Sequence, residues 1–335
     1  MEYVQLSHTD MKISKIGIGC WAFGGGDYWG NHSDDKVSLK TIDRALDAGI
    51  NFFDTAESYN DGQADILLGK GMQGRRSQFI VSSKAYLDKL RAKDLVRVVE
   101  ESLVRLGTDY IDIFSPHYAS KEIPFEETFG ALEKLQTQGK VLHIGLCNFG
   151  TISIARMAEL GLMKKIVLHQ IPYSLLWRAV EYGIQPATTA QGVGLLCYSP
   201  LAQGLLSGIY DNVNDVPDNF KVLRLFDYKH VDAAHKEPGC ESEMFEAIHE
   251  LKALCNDAGV NLAAASISWL FRQSGVQGVL TGARSPKELN ENLTSLDLDL
   301  PASFFNQMTA ITDKVKERQD GNPDMWLSGM DSRIF

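Results

Sequence analysis

"KIGIGCWAFGGGDYWG", Lys15 to Gly30, is the stretch that separates two architectures. A short apolar run, Lys15–Cys20, leads into a cluster of glycines, and two kinds of α/β protein begin that way. A doubly wound open sheet places G-x-G-x-x-G directly after its first strand and opens a helix there. Here the glycines lack that spacing and no helical pattern stands directly behind them. A closed barrel instead requires eight strands, each returned by a helix. Seven further apolar runs follow: Ile50–Asp54, Phe79–Lys84, Tyr110–Phe114, Val141–Leu146, Lys165–Gln170, Gly194–Tyr198 and Val276–Gly282.

Between them the apolar residues recur with helical spacing over Lys36–Ala48, Gln63–Gly69, Ala92–Leu106, Phe125–Gln138, Ile152–Leu160 and Arg178–Gln185. The seventh connection is longer. Tyr210–Gly239 is irregular and rich in Asp, Asn and Pro, and helical patterns follow near Ser242–Asp257 and Leu262–Gln273. A further helix is expected from Pro286 to about Leu293, and another before a polar tail from about residue 317. "YVQL" and "MKIS", joined by "SHTD", predict an N-terminal hairpin. The whole predicts one (β/α)8 TIM barrel over residues 1–335, with a hairpin in front and a long loop after barrel strand seven. That loop is expected to act as a lid.

The totals narrow the function classes. With 335 residues, 44% apolar and 23% charged, the chain has ample material for a core. A formal charge of −10 argues against a nucleic-acid groove, which needs clustered Lys and Arg. Cys20, Cys147, Cys197, Cys240 and Cys255 are odd in number and show no C-x-x-C spacing. They are read as reduced, mostly buried thiols of a cytoplasmic protein, and no metal is expected. The first residues have neither a basic region nor an apolar core of a secretory signal. No apolar run approaches the roughly 18 residues of a membrane span.

Catalytic groups of such barrels come from the C-terminal ends of the strands. Strand two delivers Asp54, with Tyr59 in the loop behind it; strand three delivers Lys84, and strand four runs on to His117. Each has a plain alternative: a turn-forming Asp, a packing Tyr, a satisfied His. Lys84 resists such an explanation, since a lysine closing an apolar strand must bury its stem and find a partner. A phenol titrates near 10, too high for ready proton exchange at neutrality. An ammonium nearby is expected to lower that value, while Asp54 keeps the lysine charged. With His117 hydrogen-bonding the reacting oxygen, the four form a relay suited to protonating an alkoxide as it forms on a carbonyl. Such a relay lacks a hydride, so a cofactor site is expected beside it.

Asn148 and Gln170 end strands five and six with side-chain amides, which suit a carboxamide. Tyr198 ends strand seven with a ring for a flat heterocycle, followed by Ser199, Leu201 and Gly204 of "SPLAQG". After strand eight, Gly282 and "ARSPKE" bring Ser285 to a helix start, the usual barrel location for a phosphate. Ser285 and Glu288 also form an S-x-x-E capping pattern.

"GINFFDTAESY", the lysine of "SSK", the histidine of "SPHY", "IGLCNF", "YSPLAQGLLSG" and "GARSPKELNEN" together resemble the blocks of the aldo-keto reductases, in the same order, from about Lys15 to Asn292. The resemblance implies a (β/α)8 barrel that binds NADP(H), NAD(H) or both in an extended pose. It implies a catalytic tetrad at Asp54, Tyr59, Lys84 and His117, with Tyr59 as general acid/base. It also implies carboxamide contacts at Asn148 and Gln170, stacking at Tyr198, and an adenosine-phosphate clamp including Arg284, Ser285, Glu291 and Asn292. Two departures stand out. Cys147 occupies a place where the family commonly has serine, and Glu288 one where many members carry an arginine for the 2′-phosphate. A carboxylate there repels a phosphate and suits ribose hydroxyls, so cofactor preference is expected to be relaxed or tilted toward NAD.

Trp21, Phe23, Tyr28 and Trp29 of the first loop, with Tyr86 and Tyr118, are candidates to wall an aromatic pocket, and Trp21, Trp29, Tyr86 and Tyr118 are the expected substrate contacts. Aromatic walls suit a sugar as well as an aromatic aldehyde or a ketone, and the same groups serve sugar oxidation and aldehyde reduction. Two alternatives belong to other classes: a cofactor-binding regulatory subunit with little turnover, and a Schiff-base lysine at Lys84 in an aldolase-like barrel. The second requires a depressed lysine pKa, against which Asp54 argues.

Overall fold

The structure, a computed structural model, describes residues 1–25 and 34–335. β1 (Tyr3–Gln5) and β2 (Lys12–Ser14) form the expected antiparallel hairpin. Eight parallel strands then close a barrel: β3 (Ile16–Gly19), β4 (Phe52–Asp54), β5 (Ile80–Ala85), β6 (Ile111–Pro116), β7 (Val141–Cys147), β8 (Ile166–Pro172), β9 (Leu195–Tyr198) and β10 (Val276–Gly282). β10 pairs with both β9 and β3, which joins the last strand to the first.

Strands with an apolar neighbour on each face read as continuous apolar runs, which is why the pattern was legible. Ile16 and Ile18 join the layer between strands and helices, while Phe52, Ile113, Leu168, Leu196 and Leu280 form a separate inner cluster with Leu6 and Ile13. The hairpin therefore plugs the barrel floor. Gly17 faces inward, where a Cβ would stand 2.6 Å from the Phe52 ring.

Among the described residues ten α-helices surround the strands: α1 (Asp35–Asp47), α2 (Gln63–Met72), α3 (Ala92–Leu106), α4 (Phe125–Thr137), α5 (Thr151–Glu159), α6 (Ile184–Ala190), α7 (Glu241–Asp257), α8 (Leu262–Leu270), α9 (Pro286–Leu293) and α10 (Ala302–Lys316). In α3, Leu95, Val98, Val99, Ser102, Leu103 and Leu106 recur at three- and four-residue steps and bury one stripe. Its C-terminal Gly107 takes φ 63°, the left-handed turn that ends a helix cheaply only at glycine.

α6 departs from the expected Arg178–Gln185. Pro186 cannot donate within a helix and belongs in its first turn, so the helix starts at Ile184. Arg178 is instead drawn into an ionic tie with Glu181 and Asp313.

Residues 210–239 differ from the expected lid. Leu223, Leu225 and Phe226 are fully buried. Between them Arg224 binds Glu237 at 2.8 and 3.0 Å, Asp320 at 3.0 Å and the carbonyls of Asn322 and Asp324. The segment is thus stitched to residues 317–335, which are no loose tail. Trp177 Nε1 donates to Pro323 O, Lys121 Nζ to Met330 O and Ser332 O, and Ser153 N to Phe335 O. Those anchors follow β8, β6 and β7, so the C-terminal residues lie across the mouth where strands end.

Candidate active site

β4 ends at Asp54, and the chain does not leave its neighbour at once. Thr55 N donates to Ser82 O and Glu57 N to Lys84 O, so the loop runs on beside β5 before turning. The turn itself holds Asn60 (φ 50°), Asp61 (φ 52°) and Gly62 (φ 83°) in left-handed conformations, residue types that tolerate them. Asn60 Nδ2 donates to the carbonyls of Trp21 and Phe23, tying the loops after β3 and β4 together. This fixes Tyr59 at the end of a braced turn.

Lys84 spends all three ammonium hydrogens. Nζ donates to Asp54 Oδ2 at 2.7 Å, to Thr55 O at 2.8 Å and to the Tyr59 hydroxyl at 3.3 Å. The phenol oxygen accepts from the lysine, so its own hydrogen is free to be given elsewhere. Burial is the largest influence and opposes the Lys84 charge, but the groups around it, led by the Asp54 carboxylate, together hold the ammonium above its ordinary pKa. Burial likewise raises the Tyr59 phenol, with Lys84 pulling the other way. The expected net depression is therefore corrected: desolvation dominates, and Tyr59 is a protonated phenol at neutrality.

His117 follows β6, its N–H held by Ala85 O at 2.8 Å. Its ring lies 5.9 Å from that of Tyr59 and stacks on Tyr118 at 5.2 Å. Burial, then the charges of Lys84 and Arg333, push the imidazole well below its usual pKa, so it is neutral at neutral pH. Trp21 stacks over Tyr59 with centroids 6.2 Å apart, and Tyr86 meets both His117 and Tyr118 edge-on. Trp29 and Tyr28, also expected in this pocket, lie outside the described residues.

The two amides meet as well. Asn148, at φ 57°, accepts from the Tyr198 hydroxyl at 2.9 Å and donates to His117 O at 3.1 Å. Gln170 Oε1 lies 3.1 Å from Cys147 Sγ, and burial keeps that thiol protonated and able to donate. Cys147 thus orients Gln170, a role its weak hydrogen-bonding character did not announce. Gln170 Nε2 keeps its donors and Asn148 Oδ1 keeps a lone pair, the pair of functions a carboxamide requires. The residues present therefore fit a nicotinamide group.

The remaining expected contacts form a second arc. Ser199 (φ 53°), Gln203 (φ 56°) and Gly204 (φ 96°) bend the loop after β9, with Ser199 Oγ accepting from Gln203 Nε2 and Leu201 O accepting from Gly204 N. Ser285 caps α9 by accepting from Glu288 N at 3.3 Å. Glu288 does not complete the box at Ser285; its carboxylate takes Arg284 N at 2.9 Å and Arg284 Nη2 at 3.1 Å. Asn292 Nδ2 holds Gly282 O at 3.0 Å, an internal tie between α9 and β10, while Glu291 stands at the surface 3.9 Å from Lys287.

The model of the Aldo/keto reductase family matches residues 15–313. The chain belongs to that family. Among relatives, an aldo-keto reductase of Bacillus subtilis strain 168, YhdN, is 33% identical over 304 residues, covering 86% of this chain and 87% of the relative. The NADH-specific methylglyoxal reductase of Escherichia coli K12 is 28% identical, over 90% of this chain and 95% of its own. The crystal structure of the thermostable aldo-keto reductase Tm1743 with the inhibitor epalrestat superposes with a TM-score of 0.74 at 26% identity, covering 93% of this chain and 100% of that one. The chain is an NAD(P)-dependent oxidoreductase of carbonyl compounds.

Several groups in the reductase escaped the sequence reading. Thr55, whose carbonyl holds Lys84, gives its hydroxyl to Asp65 Oδ1 at 2.7 Å, and Arg105 pairs with the other oxygen of Asp65 at 3.0 Å. Asp65, buried on the inner face of α2, was the available signal. Arg333 reaches Tyr118 from the C-terminal residues, held by Asp324 and flanked by Trp326, and nothing local marked them. No group of three or more His, Cys, Asp or Glu among the described residues is placed to hold a metal. No described helix is long and apolar enough to cross a membrane.

Proposed function

We propose that the reductase converts an aldehyde, a ketone or a sugar carbonyl to the alcohol by proton donation from Tyr59. The observation that carries this is the three-way coordination of Lys84, which points a cation at the Tyr59 oxygen while leaving the phenolic hydrogen free. A nicotinamide held there would supply the hydride for the carbonyl carbon. Tyr59 gives its proton to the carbonyl oxygen as negative charge grows there, and Lys84 stabilises the phenolate left behind. Asp54 keeps Lys84 charged and in place. Neutral His117 orients the carbonyl oxygen by hydrogen bonding. Reversal of these steps oxidises the alcohol.

Asn148 and Gln170 would hold the carboxamide and Tyr198 would stack on the ring, while Ser199, Leu201, Gly204, Gly282, Arg284, Ser285, Glu291 and Asn292 would serve the phosphates and the adenosine end. Arg284 pairs with Glu288 at the start of α9, so a carboxylate would face an incoming 2′-phosphate. We infer that NADH is used at least as well as NADPH, and the NADH-specific methylglyoxal reductase at 28% identity is consistent with that. The Schiff-base alternative is disfavoured, since an ammonium with three acceptors and a raised pKa is a poor nucleophile. A regulatory subunit with little turnover remains the contrasting outcome.

A panel of aldehydes, ketones and sugars, followed by nicotinamide absorbance with each cofactor, tests the reading. Tyr59→Phe is expected to lower kcat by about 10² to 10⁴ while cofactor Kd changes little. Unchanged turnover in that variant, or no turnover of any carbonyl by the wild type, would overturn it.

A further inference from the structure

We propose that Arg333 selects carbonyl substrates bearing an anion, a carboxylate or a phosphate, a few bonds from the reacting carbon. The inference rests on the reading of Tyr59 and His117 as the reacting end of the pocket. Arg333 comes from the C-terminal residues that cross the barrel mouth, and its guanidinium lies over the Tyr118 ring at 4.5 Å. Tyr118 in turn stacks on His117 at 5.2 Å, so the cation stands one aromatic ring beyond the imidazole. Its charge is felt at His117. Trp326 flanks it at 5.7 Å, and the Tyr86 hydroxyl is among the groups that bear on it.

The arginine is placed rather than free. Its Nε and Nη2 donate to the two oxygens of Asp324 at 3.1 and 2.9 Å, in the fork geometry that only a guanidinium offers. Asp324 is wholly buried and also accepts from the backbone N–H groups of Trp326, Leu327 and Arg333, which lock it. Beyond Asp324 the guanidinium has the Tyr86 hydroxyl as a hydrogen-bonding neighbour, and the side chain keeps 21% of its surface exposed. A clasp that merely fastened the C-terminal residues would not need to bring a cation over an aromatic wall of the pocket. With five bonds fixing Asp324 and the arginine together and part of its surface exposed, the guanidinium is a preorganised anion acceptor.

The ordering is also selective by default. Lys84, the other buried cation of the pocket, is saturated by Asp54, Thr55 and Tyr59 and offers no hydrogen to a substrate anion. Neutral His117 offers none as a charge. An anionic group can therefore be met by Arg333 while the carbonyl sits at Tyr59.

Matched substrate pairs supply the test: butanal against 4-oxobutanoate, and glyceraldehyde against glyceraldehyde 3-phosphate. Wild-type kcat/KM is expected to favour the anionic member of at least one pair by on the order of tenfold or more, carried by KM, and the favoured pair tells carboxylate from phosphate. In Arg333→Met the ratio of anionic to neutral kcat/KM should fall by about 10 to 100-fold, and Arg333→Lys should restore part of it. Because that variant leaves Asp324 buried and unpaired, the double variant Arg333→Met with Asp324→Asn is measured beside it. Equal losses on both members of each pair, or a wild type indifferent to the anion in both pairs, would overturn the proposal and leave Arg333 a structural clasp. Failure of Tyr59 as the proton donor would show instead as a wild type that retains turnover of neutral carbonyls when Tyr59 is changed to Phe.

Discussion

Lys84 and Asp54 meet at 2.7 Å with only 1% and 3% of their side chains exposed, and the second Asp54 oxygen has no hydrogen-bond partner among the described residues. An ion pair this deep stabilises little by itself, because desolvation offsets much of the Coulomb attraction. Its position at the Tyr59 oxygen is what it supplies. Removing one partner is expected to cost about 3–5 kcal/mol of stability, since a lone buried charge remains. Asp54→Leu with Lys84→Met should recover most of that loss in urea unfolding while turnover stays near zero. Recovery of turnover together with stability would show that the pair is only a packing element.

The proton inventory gives a pH dependence with a definite sign. Burial holds the Tyr59 pKa above the ordinary phenol value, so the acid form needed for reduction persists through neutral and mildly alkaline pH. Reductive kcat/KM is therefore expected to stay flat from pH 6 to about 9 and to fall only beyond. The reverse reaction needs the deprotonated form and should rise by up to about tenfold per pH unit over the same range. His117, depressed by burial and by Lys84, stays neutral throughout and contributes no inflection near its usual 6.5. An acid limb near that value that vanishes in His117→Gln would contradict the assignment.

Glu57 shows where sequence reading ended. The eight strands, the hairpin and the grouping of Asp54, Tyr59, Lys84 and His117 were legible because a barrel strand is apolar on both faces, so a polar residue at its end or just beyond it stands out. Glu57 carries no such marker in the sequence. In the fold its side chain is only 8% exposed, takes Lys89 Nζ at 2.8 Å and accepts from Tyr86 N at 3.3 Å. It thereby holds the pocket residue Tyr86 to the Tyr59 loop. The C-terminal residues were illegible for a related reason: Asp324, Trp326 and Arg333 are polar or isolated in the chain, and only tertiary closure over the mouth gives them neighbours. Glu57→Gln should weaken these ties, raising KM about three- to tenfold with a smaller change in kcat, and lowering stability by about 1 kcal/mol. A kcat loss as large as that of Tyr59→Phe would instead place Glu57 in the proton relay.

The proposed tilt toward NADH rests on Glu288. Its carboxylate is engaged by Arg284 through both the backbone N–H and Nη2, and it stands at the start of α9 where Ser285 caps the helix. A 2′-phosphate arriving there would meet a carboxylate that repels it, beside an exposed arginine that the same carboxylate shares. The helix N-terminus favours anions in general, so the repulsion is partly offset. Glu288→Gln removes the charge, keeps the shape and frees the guanidinium. The expected result is a rise of on the order of tenfold in kcat/KM for NADPH, equal to about 1.4 kcal/mol, with NADH changed by less than about threefold. The capping bond is to the backbone of residue 288 and survives the substitution, so thermal stability should shift little. If NADPH is already strongly preferred by the wild type and the variant leaves that ratio untouched, the Arg284–Glu288 pair stands clear of the cofactor and the inferred tilt toward NADH fails.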